Sequence, residues 1–137
     1  MSERNRRLAR LYLDRFPHDE SLVDEALSPD FVFHHLAEIV GPDAFRLFMR
    51  GVSDAFPDFA FTLHHLVSER DLVAAHYDFA GTQADVFLGT VPSRGRRFST
   101  RGLSLFRCSG GRIAEIWVAF NSYAMFEQLG AVEPLGG

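Results

Sequence analysis

The sequence predicts an α+β fold, and three observations predict it. Helical spacing of apolar residues dominates the first half of the chain. From Phe59 onward the spacing becomes alternation, in segments separated by turn residues. Gly110-Gly111 stands between two such segments, as a hairpin turn would. Helices grouped early and antiparallel strands grouped late give α+β rather than alternating α/β order. Three helices against one face of a curved, mostly antiparallel sheet leave a cone open at one end. The 137 residues suit a single domain, 1–137.

Residues 4–16 read as a helix, because Leu8, Leu11, Tyr12 and Phe16 fall on one face and Pro17 ends it. A short helix covers 20–27, with Leu22, Val23, Ala26 and Leu27 on its apolar side. Ser28-Pro29-Asp30 reads as a turn, 31–36 as a strand, and 38–40 as a connector. Gly41-Pro42-Asp43 opens a third helix, with the stripe Phe45, Phe48, Met49, Val52 and Phe56, broken by Pro57-Asp58. Residues 59–67 and 72–80 read as antiparallel strands joined by Ser68 to Asp71. Gly81 to Arg97 is a long loop, expected as a rim or flap over the cone mouth. Residues 97–107 form a strand, and Ile113 to Phe120 form the next. A helical pattern follows Asn121 through Tyr123, Phe126 and Leu129, with Gly130 as its cap.

Composition narrows the function classes. Hydrophobic residues make up 47% and charged residues 23%, as in an ordinary globular protein. Fourteen Phe residues suggest an aromatic interior, either plain core or a pocket for a flat, greasy ligand. The net charge is −4, and the basic clusters are small: Arg94 with Arg96 and Arg97, and Arg4 with Arg6 and Arg7. No nucleic acid is therefore expected as a partner. No apolar run reaches membrane-spanning length or resembles a signal peptide, so no membrane partner is expected and the cytoplasm is the default location. The single Cys108 excludes an internal disulfide and a cysteine metal site.

The stretch Arg112–Gly130 carries a family resemblance. Gly111-x-Ile113-x-Glu115-x-Trp117, a polar residue four after the Trp, and a helix ending Gln128-Leu129-Gly130 resemble the SnoaL-like polyketide cyclases, or ester cyclases. Asp30-Phe31-Val32-x-His34, Gly41-Pro42-x-x-Phe45, Phe56-Pro57-Asp58-Phe59, Phe87-Leu88-Gly89 and Pro92-Ser93-x-Gly95 are similar to further stretches of that family. Together they cover roughly residues 5 to 130. The resemblance implies a cone-shaped α+β barrel of the nuclear-transport-factor-two-like superfamily, a homodimer, and cofactor-free ring closure by an intramolecular aldol step. It places Asn121 in the seat that relatives fill with an acid/base Asp.

Asn121 is neutral and lacks basicity, but it can orient a carbonyl or help hold an enolate. His34 matches the family's His, and its ordinary pKa suits proton transfer, so His34 and Asn121 are the candidate catalytic residues. A plain reading of His34 is a polar residue at a strand end. The strand rule puts Ile113, Glu115, Trp117, Ala119 and Asn121 on one face and Ala114, Ile116, Val118 and Phe120 on the other. The mixed face is expected to line the pocket, with Trp117 as a wall. Tyr12, His35, Phe48, Phe87 and Ser104 join Trp117 as candidate substrate-binding residues. Val73, Ala75, Tyr77 and Phe79 should face the interior, leaving His76 and Asp78 outside.

No metal site is expected, because His34-His35 and His64-His65 are neighbours that point to opposite faces unless a bulge intervenes. The chain contains no Lys, which rules out Schiff-base chemistry, and no nucleophile elbow. The expected partner is a small hydrophobic or aromatic substrate. The alternatives are a different reaction on the same scaffold, or a binding protein without catalysis.

Overall fold

The structure is a computed structural model that describes residues 2–35 and 38–133. In chain order the elements are α1 (Ser2–Arg15), α2 (Ser21–Ala26), β1 (Leu27–His34), β2 (Glu38–Val40), α3 (Pro42–Ala55), β3 (Ala60–Glu69), β4 (Leu72–Thr82), β5 (Arg97–Ser109), β6 (Arg112–Phe120) and α4 (Ser122–Leu129). The six strands form one sheet, ordered β2-β1-β6-β5-β4-β3, which does not close on itself. All neighbours are antiparallel except β1 and β6. No helix among the described residues is long and apolar enough to cross a membrane.

The α+β expectation holds, with two corrections near the start. Residues 38–40, read as a connector, are a strand whose Val40 pairs with Val32. Ser28-Pro29-Asp30, read as a turn, lies inside β1. There the register against β6 shifts between Leu27 and Val32, and the Asp30 amide donates to the Ser28 hydroxyl at 3.3 Å. The turn chemistry is present, but it bends a strand instead of ending one. Leu36, the last residue of the expected strand 31–36, lies outside the described residues.

The curved sheet wraps its inner face around the helices. α1 lies against β3, β4 and β6, α3 against β1 and β2, and α4 against β5. The helices contribute the apolar stripes their spacing implies: Tyr12 of α1 with Phe16 just after it, Phe45, Met49 and Val52 from α3, and Met125 and Leu129 from α4 are buried. Val73, Ala75, Tyr77 and Phe79 alternate inward along β4, as the pattern requires. At roughly 25 cal/mol per Å² of apolar surface, this burial is the main force holding the fold. Asn121 caps α4 by accepting the Ala124 amide at 3.0 Å. Gly130 ends the helix with φ 82°, a left-handed position that glycine takes without strain.

Two bulges decide which side chains face inward. In β6, Cys108 pairs with Ile113 while the adjacent Arg107 pairs with Glu115, so Ala114 is the extra residue. In β3, the register shifts between Leu63 and His65, so His64 is the extra one.

Candidate active site

The sheet, α1, α3 and α4 enclose a cavity of about 340 Å³. Its walls are overwhelmingly aromatic. Phe16 just after α1, Phe48 from α3 and Phe59, Phe61, Phe79 and Phe120 from the sheet side are among the lining side chains. Phe87 and Leu88 of the 83–96 loop and Phe126 of α4 also line it, so the loop expected as a rim borders the cavity. Phe87 packs edge-on against Phe56 with centroids 5.0 Å apart. Buried Gln83 ties both arms of the rim together, because its amide donates to Asp85 O at 3.1 Å and to Val91 O at 2.9 Å.

Among the described residues the polar lining comes from Tyr12, His35, Tyr77 and Ser104, and no charged side chain lines the cavity. Each of the four comes from a different element or its end. His35 follows β1 directly, in the same alternation as the buried Phe31 and Phe33. The β1–β6 register continued by one residue sets it beside Val118, to whose carbonyl its ring donates a hydrogen bond. Its ring also stacks on Phe120, with centroids 4.6 Å apart. Burial lowers the His35 pKa below its ordinary 6.5, against the opposing pull of the Val118 hydrogen bond. The ring is therefore mainly neutral at pH 7, and a neutral imidazole carries one nitrogen able to accept a proton.

Tyr77 and Ser104 form a buried pair, hydroxyl to hydroxyl at 2.5 Å. They are diagonal neighbours, since Ser104 pairs with Ala75 and Tyr77 with Gly102. Burial raises the Tyr77 pKa to about 12 and takes that of Tyr12 well above 10, so both phenols stay protonated. This arrangement offers one base and several hydrogen-bond donors in a dry, ring-lined space. It can polarise a carbonyl and remove a proton beside it.

The structure thus places five of the sequence-derived residues in the cavity wall: Tyr12, His35, Phe48, Phe87 and Ser104. Three others lie elsewhere. Trp117, expected as a pocket wall, is 37% exposed on the outer face of the sheet. The extra residue Ala114 moves Ile113 to the inner side with Ile116, Val118 and Phe120, and leaves Glu115, Trp117 and Ala119 outside. Asn121, expected to look inward, is exposed, is absent from the cavity lining, and spends its side-chain carbonyl on capping α4.

His34, the expected base, is also outside. Its ring stacks on Trp117 with centroids 5.3 Å and planes 12° apart. Its Nε2 lies 2.6 Å from Glu115 and its Nδ1 lies 3.3 Å from Glu38, both carboxylates on the outer face. Glu115 also accepts from Arg107 at 3.0 Å. The parity of β1 is set by its pairing with β6, and that parity selects His35 for the interior.

The bulge in β3 revises the reading of the second His pair as well. His65 reaches the His76 ring, Nδ1 to Nδ1 at 3.1 Å, and His64 reaches Asp78 at 3.0 Å, all on the outer face. Among the described residues no set of three or more His, Cys, Asp or Glu is arranged to hold a metal ion. Tyr77 was missed as a site residue. Its signal was a hydroxyl on the otherwise apolar face of β4, diagonal to a serine on the next strand.

Comparison with known proteins follows the same lines. The family description SnoaL-like polyketide cyclase matches residues 6–129. No curated protein matches the chain. Among solved structures, TsrD from Streptomyces laurentii is similar over 96% of this chain and 98% of its own, at 28% identity and TM-score 0.86. IdmH from Streptomyces antibioticus, a candidate polyketide cyclase, is similar over 92% of this chain and 98% of its own, at 26% identity and TM-score 0.76. A candidate SnoaL-like polyketide cyclase from Jannaschia sp. CCS1 shares the fold at 20% identity, covering 97% and 95% of the two chains with TM-score 0.86.

Proposed function

The chain belongs to the SnoaL-like polyketide cyclase family, and from that membership we propose a cofactor-independent acid/base enzyme that closes a ring in a small apolar or aromatic substrate. The observation that carries the reading is His35: a mainly neutral imidazole, with one nitrogen able to accept a proton, in the wall of an otherwise apolar cavity. His35 takes a proton from the carbon beside a carbonyl. The C–H electron pair becomes a C=C bond, and the carbonyl π pair moves to oxygen. The enolate carbon then attacks a second carbonyl, and the resulting alkoxide recovers the proton from His35. The aromatic walls fold the substrate so that both carbons meet, which supplies much of the acceleration.

The test uses an aromatic β-keto ester in deuterated water, with mass spectrometry and NMR as the readout. Wild type should place deuterium beside the carbonyl or give a cyclised product of unchanged mass. His35→Gln should lower the rate by about 100-fold or more. Equal rates for the two proteins would sink the assignment of the base.

A second reading is favoured by one observation: no carboxylate lines the cavity among the described residues. A binding protein that holds an apolar molecule without changing it needs none. Recovery of the bound molecule intact, together with no exchange, would select that reading. In either case two copies are expected to pair through the outer sheet face, where Val67, Leu103 and Trp117 are exposed. Sedimentation of wild type against Leu103→Glu measures this, with a shift to monomer expected.

A further inference from the structure

The four polar groups of the cavity differ in one respect. Tyr77 and Ser104 satisfy each other, and His35 is bonded to the Val118 carbonyl. The Tyr12 hydroxyl has no hydrogen-bond partner among the described residues, although the side chain is only 3% exposed. Among the described residues the sealed, orphaned polar atoms are Asp78 Oδ1 and Gln83 Oε1, and the Tyr12 hydroxyl is not one of them. Its remaining accessibility therefore opens to the cavity it lines.

We infer that Tyr12 is a catalytic hydrogen-bond donor, whose hydroxyl holds the substrate oxygen that becomes anionic when His35 removes the neighbouring proton. The inference rests on the enzymatic reading above and adds the group that receives the charge. Three features support it. An unpaired buried hydroxyl lowers stability, and a ligand oxygen supplies the missing acceptor. The ring is fixed before any ligand arrives, stacked on Phe16 at 5.3 Å and meeting Phe106 edge-on at 5.4 Å. A donor already held in place loses nothing to reorganisation as charge develops. Burial also keeps the phenol protonated across the working pH range, so it remains a donor. No proton leaves Tyr12 in this step: the C–H proton goes to His35, and Tyr12 contributes only a hydrogen bond to the oxyanion.

The probe is 4-nitrophenol, whose ionised oxygen imitates the enolate and whose colour reports ionisation. Bound to wild type, its ionisation midpoint is measured by titration in the visible range and compared with that in Tyr12→Phe. The expected result is a midpoint at least about one pH unit higher in the variant, the tenfold effect of losing a hydrogen bond to a charged oxygen. An unchanged midpoint in a folded variant overturns the inference, and so does failure of wild type to bind the probe. If Tyr12→Phe does not fold, 3-fluorotyrosine at position 12 keeps the shape and strengthens the donor. It should lower the midpoint, and no change there overturns the inference equally. The reading of His35 stands or falls separately on deuterium exchange. A cavity that shifts the probe through Tyr12 but exchanges no proton would retain the donor and lose the base.

Discussion

At the scale of single residues, His34 and His35 have opposite surroundings, and the proposed chemistry rests on the second. They are adjacent in sequence, yet one sits among Glu38, Glu115 and Trp117 outside the sheet and the other among aromatic rings inside it. The lowered pKa of His35 has a definite sign in activity. Its basic form persists to lower pH than that of an ordinary histidine, so kcat/KM should rise with an acid-side midpoint below 6.5 and be flat at neutrality. A midpoint above 6.5 would show that another group is the base. Asn121 supports a different prediction. Asn121→Ala should destabilise the protein by about 1 kcal/mol through the lost cap of α4, whereas Asn121→Asp keeps the cap. Thermal unfolding of the two variants measures this.

At the scale of elements, the sequence was legible where periodicity alone decides. The helices, the β3–β4 and β5–β6 hairpins, the inward face of β4 and the rim all follow from spacing and turn residues. It was not legible where one extra residue changes the parity. Ala114 carries no mark in the sequence that it is a bulge, yet it turns Trp117 outward and Ile113 inward. The parallel pairing of β1 with β6 joins residues some 80 positions apart, such as His34 and Trp117, and no local pattern announces it. Of the candidate residues, Tyr12, His35, Phe48, Phe87 and Ser104 line the cavity, whereas Trp117 and Asn121, counted along the strand with the bulge, and His34 on β1 do not. Packing inside the sheet yields a further prediction. A Cβ on Gly102 would stand 2.7 Å from Tyr77 Cε1 and 3.2 Å from Phe79 Cε1. Gly102→Ala should therefore cost about 1–3 kcal/mol and displace the Tyr77 ring from Ser104. Chemical denaturation and loss of the hydroxyl pair in a crystal structure would report the two effects.

At the scale of the whole molecule, the two faces of one sheet do different electrostatic work. Among the described residues no charged side chain lines the inner cavity, while the outer face gathers His34, Glu115, Arg107, His76 and Asp78. The hydrogen bond from His34, and then Arg107, hold the Glu115 carboxyl below its ordinary 4.5. A carboxylate whose pKa is lower folded than unfolded adds stability above its unfolded value and loses it as pH falls through the folded one. The difference in melting temperature between wild type and Glu115→Gln should accordingly be largest above pH 4.5 and shrink on further acidification. A difference constant across that range would mean the network contributes no linked stability. The joint between β1 and β6 carries the His34–Glu115 pair on its outer side and His35 on its inner side.

The rim has a kinetic consequence. Because the one buried amide of Gln83 grips both arms, neither arm can swing out alone without stranding a donor. Any outward swing of the rim must break those two bonds together, which slows it relative to a loop held by neither.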